Sequence, residues 1–305
     1  EMIEGVIKDS AAGASWKTYF ALCKPKVVSL IVFTAVVGIL LASAGDPPWI
    51  RAFFAVLGIG LAAGAGAAAN HWIDRRIDAV MARTQNRPLP QHQVKPASVV
   101  SFTLVLATVA MLILVTQVNW LTAWLTFISM IGYAIIYTVF LKPNTPYNIV
   151  LGGAAGATPP LLGWTAVTGE IHTEALLLFL IIFVWTPPHF WALAIKRREE
   201  YSKAEVPMLP VTHGVAFTKQ QILIYTIMLV VISVVPFFIK MSGLIYLSGA
   251  LSLGVGFIWY AFRLFREEGD SHAGPTFGYS IFYLSMLFGF LLLDHYARIL
   301  IRIWL

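Results

Sequence analysis

The sequence predicts an all-α, polytopic membrane protein: nine transmembrane helices around a central apolar cavity that is capped on the cytoplasmic side. Three observations carry this. Of 305 residues, 58% are hydrophobic and 12% charged, where a soluble domain carries about 25% charged residues. Nine apolar stretches approach the roughly 20 residues that cross a bilayer. Basic residues gather on one side of those stretches, as they do in short cytoplasmic loops.

In chain order the spans run Val27 to Ala44, Ala52 to Ile73, Ala97 to Val115, Trp120 to Leu141, Tyr147 to Val167, Ala175 to Ile195, Gln221 to Ile239, Leu244 to Phe265 and Tyr279 to Ile299. Span two carries Gly58-Ile59-Gly60-Leu61-Ala62-Ala63-Gly64-Ala65-Gly66, and span five carries Gly152-Gly153-Ala154-Ala155-Gly156-Ala157. Small residues let membrane helices approach closely, or leave room for a bulky flat substrate. Neither run is a nucleotide-binding loop, because no strand precedes it. In span six, Trp185-Thr186-Pro187-Pro188-His189-Phe190-Trp191 places two prolines in the apolar run, which predicts an interrupted helix lining a cavity. His189 is open to three readings: a haem iron ligand, a proton carrier or a hydrogen-bonded packing residue.

With a cytoplasmic N-terminus, 17 of the 21 Lys and Arg residues fall inside. Outside lie only Arg51, Lys240, Arg298 and Arg302. The split supports nine spans and places residues 1–26 as a cytoplasmic N-terminal segment without a removable signal peptide, so 1–305 reads as one integral-membrane domain. The net charge of +6 reports orientation and an anionic substrate. Nucleic acid is excluded as a partner, since no basic stretch is long or interleaved enough. Cys23 is the sole cysteine, which rules out an intramolecular disulfide and any cysteine-based metal cage.

Outer loops are short, such as Thr116-Gln117-Val118-Asn119, while two inner loops are long, Asp74 to Pro96 and Lys196 to Thr218. Function concentrates in loops of the second kind. Both end in a proline-rich phrase, Arg87-Pro88-Leu89-Pro90 and Pro207-Met208-Leu209-Pro210, a faint internal repeat.

The first loop opens on Asn70-His71-Trp72-Ile73-Asp74-Arg75-Arg76-Ile77-Asp78 and continues through Arg83-Thr84-Gln85-Asn86-Arg87-Pro88. Residues four apart share a helix face, so Asn70, Asp74 and Asp78 stack. Oxygen-only ligands suit Mg²⁺ shared with substrate phosphates. Asn70 and Asp78 would stand about 12 Å apart on a continuous helix, so two ions fit better than one unless the helix breaks between them. The second loop opens on Lys196-Arg197-Arg198-Glu199-Glu200-Tyr201-Ser202-Lys203-Ala204-Glu205. Glu199, Glu200 or Glu205 can hold a second ion there, with Arg197, Arg198 and Lys203 on phosphate. Lys142, the one cation after span four, reads as a further phosphate contact.

These residues resemble a known family, the UbiA-type intramembrane prenyltransferases, and within it the protohaem IX farnesyltransferase (haem O synthase) branch. The superfamily motif Asn-x3-Asp-x3-Asp stands as Asn70, Asp74 and Asp78, with the trailing Arg-Thr-x2-Arg-Pro as Arg83, Thr84, Arg87 and Pro88. Haem-branch phrases stand at Thr145-Pro146-Tyr147-Asn148-Ile149-Val150-Leu151-Gly152-Gly153, Pro159-Pro160-Leu161-Leu162-Gly163-Trp164, Trp185 to Ala194 and Pro207 to Pro210. Two positions depart from the pattern. The second acidic motif, usually Glu-Asp-Tyr, is Glu199-Glu200-Tyr201 with Glu205 where a glycine is expected, and Pro143 replaces the arginine after the loop lysine.

The resemblance implies transfer of farnesyl from farnesyl diphosphate to a vinyl group of haem B, with Mg²⁺ as cofactor. Asn70, Asp74, Asp78, Lys142 and Glu200 are the expected catalytic set. Metal contacts are expected from Asn70, Asp74, Asp78, Glu199 and Glu200, and diphosphate contacts from Arg75, Arg83, Arg87, Lys142, Arg197 and Lys203. Haem contacts are expected from His189, Trp164 and Trp185. The expected setting is the bilayer of the bacterial cytoplasmic membrane, with a downstream haem A synthase or oxidase assembly receiving the product. The nearest rival uses the same diphosphate site on an aromatic quinone precursor. A carrier fits poorly because ionisable groups crowd one face, and a haem-binding scaffold would tolerate loss of Asp74.

Overall fold

Lipid offers no hydrogen bonds to backbone N–H and C=O groups, so each apolar stretch must close its own as a helix. The computed structural model describes residues 14–304, and nearly every apolar stretch is helical. Residues 1–13 of the expected N-terminal segment, Lys8 among them, lie outside the described residues, as does the side chain of Arg302.

A short helix α1 (Trp16–Leu22) precedes α2 (Pro25–Ala42) and α3 (Trp49–Ile73); α4 (Arg75–Val80) follows α3 after a single residue. Next come α5 (Pro96–Gln117) and α6 (Trp120–Asn144), the latter winding as a π-helix over Gly132–Leu141. The half-helices α7 (Asn148–Ala157) and α8 (Pro159–Thr168) precede α9 (Thr173–Lys196), and α10 (Arg198–Lys203) and α11 (Leu209–Thr212) fill the second long loop. The chain closes with α12 (Val215–Phe238), α13 (Leu244–Arg266) and α14 (Ala273–Trp304). Eight of these are long and apolar enough to span a membrane on their own. The ninth span is α7 with α8, so the expected count holds with one span in two pieces.

The expected break lies one span away from its predicted place. Helix α9 runs unbroken through Pro187 and Pro188, whereas the chain breaks at Thr158, before Pro159 and Pro160. Pro159 has no N–H for the Ala155 carbonyl. The hydroxyls of Thr158 and Ser129 serve that oxygen instead, at 2.8 and 3.1 Å. Two spans also begin earlier than the apolar runs indicate, at Val215 and Ala273, because polar residues there are helical as well. The two proline-rich phrases differ in structure, since Arg87 to Pro90 is turn and Leu209–Thr212 is helical, although each long loop opens on a six-residue helix, α4 or α10.

Helix α9 is central, touching α7, α12 and α14, while α3 packs on α5 and α2 on α8. One apolar cluster gathers Val37, Trp164, Leu178, Trp185, Phe257 and Phe288. A second joins Met81, Trp191, Tyr201, Leu209 and Leu264 beneath both long loops. Small residues set the helix spacing, as the sequence implies, but the tightest approach involves Gly163 and Gly38. A Cβ on Gly163 would lie 2.0 Å from the Ala35 carbonyl oxygen, and one on Gly38 would lie 2.1 Å from that of Pro160. Overpacking of this kind costs about 1–3 kcal/mol or more. Gly163→Ala should therefore lower the melting temperature in detergent by several degrees, and an unchanged melting curve would show that α2 and α8 have slack.

Candidate active site

The last turn of α3 turns Asn70 and His71 inward, where both are buried. Asp74 is the hinge between α3 and α4, with φ −79° and ψ 0°. Its N–H still reaches the Asn70 carbonyl at 2.9 Å, and the Asp78 N–H reaches the Asp74 carbonyl at 2.8 Å. The helix thus bends within the motif while the three side chains keep a common face. Asp74 and Asp78 are each 3% exposed.

A buried carboxylate needs a cation, and three elements supply one. Lys142 Nζ sits 2.6 Å from Asp74 Oδ2, and Arg87 Nη1 sits 2.7 Å from Asp78 Oδ2. Lys24, at the start of α2, donates to Asn70 Oδ1. Asn70 Nδ2 in turn donates to Asp74 Oδ2 at 2.8 Å and to Thr138 Oγ1 at 3.2 Å. Burial, reinforced by the Arg87 charge and opposed by Asp78 and Asp74, pushes the Lys24 ammonium down to about 7.

Each cation has a local device behind it. The π-winding of α6 brings Thr138 and Lys142 to the aspartates, and such segments recur at functional sites. Gly152 makes room for Tyr137 on that segment, since a Cβ there would meet the ring at 2.1 Å. Asn148 is fully buried and donates to the carbonyls of Thr145 at 2.8 Å and Lys142 at 3.4 Å, fixing the turn below the lysine. Arg87 is held by its loop: Thr84 Oγ1 donates to the Asp78 carbonyl at 2.9 Å, and Leu89 is buried with Leu22, Ala68 and Val99.

The two clusters meet where Met81 of the first loop packs with Tyr201 of α10 in one buried apolar cluster. Burial pushes the Tyr201 phenol up, and the charges of Arg83 and Arg197 oppose that rise. Arg197 Nη1 binds Glu200 Oε1 at 3.0 Å, while Glu200 Oε2 is buried with no hydrogen-bond partner among the described residues. Glu205 has φ +53°, where glycine is favoured, so the glycine of the family pattern answers a backbone demand at this position.

Not every expected contact is in place. Arg75 donates to the Trp72 carbonyl at 2.7 Å and stacks over that ring at 5.1 Å, because it leaves the hinge on a different face from Asp74. It makes no bond to the carboxylates. Glu199 and Lys203 are exposed and without side-chain partners among the described residues, since α10 turns Glu200 and Tyr201 inward instead. The haem trio divides. Trp164 meets His172 at 6.0 Å near the far end of α9, whereas Trp185 and His189 lie about 20–25 Å along that helix. His189 Nδ1 contacts Ser280 Oγ at 2.7 Å, and Trp185 Nε1 donates to the Ser280 carbonyl at 2.8 Å.

The donor set fits Mg²⁺. Asn70, Asp74, Asp78 and Glu200 can each present an oxygen, and Glu200 Oε2 is a buried acceptor with no hydrogen-bond partner among the described residues while Oε1 holds Arg197. No three His, Cys, Asp or Glu side chains converge among the described residues. Such an ion would therefore complete its shell from substrate oxygens, the usual arrangement for Mg²⁺ on phosphates. Sequence reasoning missed Lys24, Thr138, Asn148 and Ser280. Lys24 and Thr138 were within reach of it, as polar groups bordering spans on the same side as the aspartates; Ser280 lies in an apolar run with no local signal.

The UbiA prenyltransferase family profile matches residues 31–287. The chain belongs to that family. Among its UbiA relatives, the protoheme IX farnesyltransferase of Thioalkalivibrio sulfidiphilus is 63% identical over 96% of this chain and 97% of its own. That of Methylococcus capsulatus is 60% identical over 94% and 96%. The fold is shared with a digeranylgeranylglyceryl phosphate synthase, with TM-score 0.79 at 18% identity over 92% of this chain and 98% of that one. It is also shared with a UbiA homolog from Archaeoglobus fulgidus bound to GPP and Mg²⁺, with TM-score 0.63 at 14% identity over 90% and 99%.

Lys24 is the test of this UbiA site's electrostatics, since it reaches the motif from outside it. Lys24→Met should weaken binding of a prenyl diphosphate about tenfold, the scale of one charge-assisted hydrogen bond. Unchanged affinity by calorimetry would confine Lys24 to holding Asn70.

Proposed function

We propose that this chain transfers the farnesyl group of farnesyl diphosphate to a vinyl group of haem B, with addition of water, giving haem O and diphosphate. The observation that carries the reading is the paired site at the end of α3: two buried aspartates and an asparagine, met by Lys142, Arg87 and Lys24. The choice of haem as acceptor rests on relatives that match nearly end to end under the name protoheme IX farnesyltransferase.

Asn70, Asp74, Asp78 and Glu200 would hold Mg²⁺, which neutralises the diphosphate and favours its departure. Lys142 and Arg87 bind the phosphate oxygens, exchanging part of their carboxylate contacts for the substrate, and Arg83 adds a further charge. The C1–O bond of the farnesyl group breaks, and its electron pair leaves on diphosphate under those positive charges. The vinyl π electrons of haem then form the new bond to C1. Water adds to the resulting cation beside the porphyrin ring and its proton passes to solvent. The buried apolar cluster of Ile149, Trp191 and Ile195 beneath the site would help keep water away until the carbon bond exists.

The basic-residue distribution supports a bacterial cytoplasmic membrane setting in which the N-terminus and both long loops are cytoplasmic. The chain is one integral-membrane domain over residues 1–305, and its product passes to a haem A synthase or to oxidase assembly. Farnesyl, at about 0.8 kcal/mol per buried CH₂, partitions into lipid, so the enzyme meets its substrate in the membrane.

A turnover assay in nanodiscs with haem B, farnesyl diphosphate and Mg²⁺, read by mass spectrometry, tests the proposal. Haem enlarged by farnesyl plus water is the expected product. Asp74→Asn should lower turnover at least about a hundredfold, and EDTA should abolish it. Diphosphate release without altered haem would move the acceptor to an aromatic quinone precursor, and full activity in EDTA would remove the metal.

A further inference from the structure

The iron of a haem acceptor has axial positions open to a ligand, and His189 has a ring nitrogen to offer. Three contacts identify which one. Ser280 Oγ lies 2.6 Å from the Phe277 carbonyl oxygen. A carbonyl only accepts, so the serine proton occupies that bond. The same Oγ lies 2.7 Å from His189 Nδ1. With its own proton committed, Ser280 Oγ must accept there, and Nδ1 carries the N–H. Neutral imidazole has one N–H, so Nε2 keeps a free lone pair, and it makes no hydrogen bond among the described residues.

The ring is also immobilised. Trp185 covers one face at 4.2 Å and 18°, and Phe277 stacks at 4.6 Å and 25°. Trp185 is itself tied to the Ser280 carbonyl, so one residue of α14 fixes both haem-branch aromatics of α9.

We infer that Ser280 is a positioning residue: its hydroxyl sets the tautomer and orientation of His189 and thereby presents Nε2 as an axial ligand to the iron of the haem substrate. The inference rests on the proposed haem reaction. Partners that orient a ligating histidine typically contribute 10–100-fold in metal affinity. A serine that only fills space would change stability and leave the iron's ligand field alone.

The test uses the full chain in nanodiscs titrated with ferric haem B, followed by absorption and electron paramagnetic resonance, with farnesyl diphosphate affinity measured separately. Ser280→Ala should bind haem about tenfold more weakly with an altered axial-ligand signature, and farnesyl diphosphate affinity should stay within about twofold. Ser280→Thr, which keeps the hydroxyl, should recover the native signature. A native haem spectrum and affinity in Ser280→Ala, beside a changed spectrum in His189→Ala, overturns the role of Ser280 and leaves the haem reaction standing. Parallel loss of haem and farnesyl diphosphate binding in Ser280→Ala also overturns it, as a folding effect. A spectrum unaltered by His189→Ala removes His189 from the haem site altogether.

Discussion

Two aspartates buried at the edge of a membrane span set the terms for the rest of this molecule. At 3% exposure, neither Asp74 nor Asp78 is hydrated, and an unmatched charge in such a place costs several kcal/mol. Every unusual piece of backbone near them brings a cation within reach. Helix α6 unwinds into a π-helix ahead of Lys142, the chain hinges at Asp74, and Lys24 takes φ +49° as α2 begins. Left-handed non-glycine residues cost of order 1–3 kcal/mol each and persist where their surroundings over-determine them. At Lys24 the surroundings are Asn70 and, behind it, the carboxylate pair, so the strain at this position serves the site.

The cations also explain the order of events in binding. Each carboxylate is already neutralised, so the free chain can keep Asp74 and Asp78 buried and aligned. In the proposed reaction an arriving diphosphate would compete for Lys142 and Arg87, and the carboxylate oxygens so released would be available to the cation that accompanies it. The site is thereby preorganised without being a metal cage, which agrees with the lack of a three-residue cluster of His, Cys, Asp or Glu among the described residues. Preorganised charge of this kind is the largest single term in many enzymes.

Much of this was legible in the sequence, and the failures are specific. Charge asymmetry and apolar length located the spans because lipid imposes both directly. The aspartate motif was legible because helical spacing fixes which side chains share a face. Two proline pairs, however, read alike and behave differently. At Pro159-Pro160 the freed Ala155 carbonyl has hydroxyls from Thr158 and Ser129 beside it, and the helix restarts. At Pro187-Pro188 the helix continues, clamped to α14 by Trp185 and His189 on Ser280. Thr158 is local, but Ser129 lies 26 residues from Ala155 and Ser280 lies 91 and 95 residues from His189 and Trp185, beyond anything local spacing reports. The same limit hid Lys24, and it let Arg75 pass for a phosphate ligand when Trp72, three residues before it, had already claimed its guanidinium.

Helix α9 acts as a ruler for the chemistry. Glu200 lies just past its end, and His189 lies about 10 Å back along it from Lys196. On the proposed reaction a charged leaving group would be released at the rim, where water can take it, while a porphyrin ligated at His189 would lie deeper in the span. Neither half would work at the other's depth. Diphosphate could not leave a dry interior without a large desolvation penalty, and a prenyl cation at the rim would meet water before it met the vinyl group. On that reaction the distance between the two halves would be part of the mechanism, and an unbroken α9 holds it constant. That gives a physical reason for its continuity through two prolines: a break there would free the depth of His189 from that of Glu200.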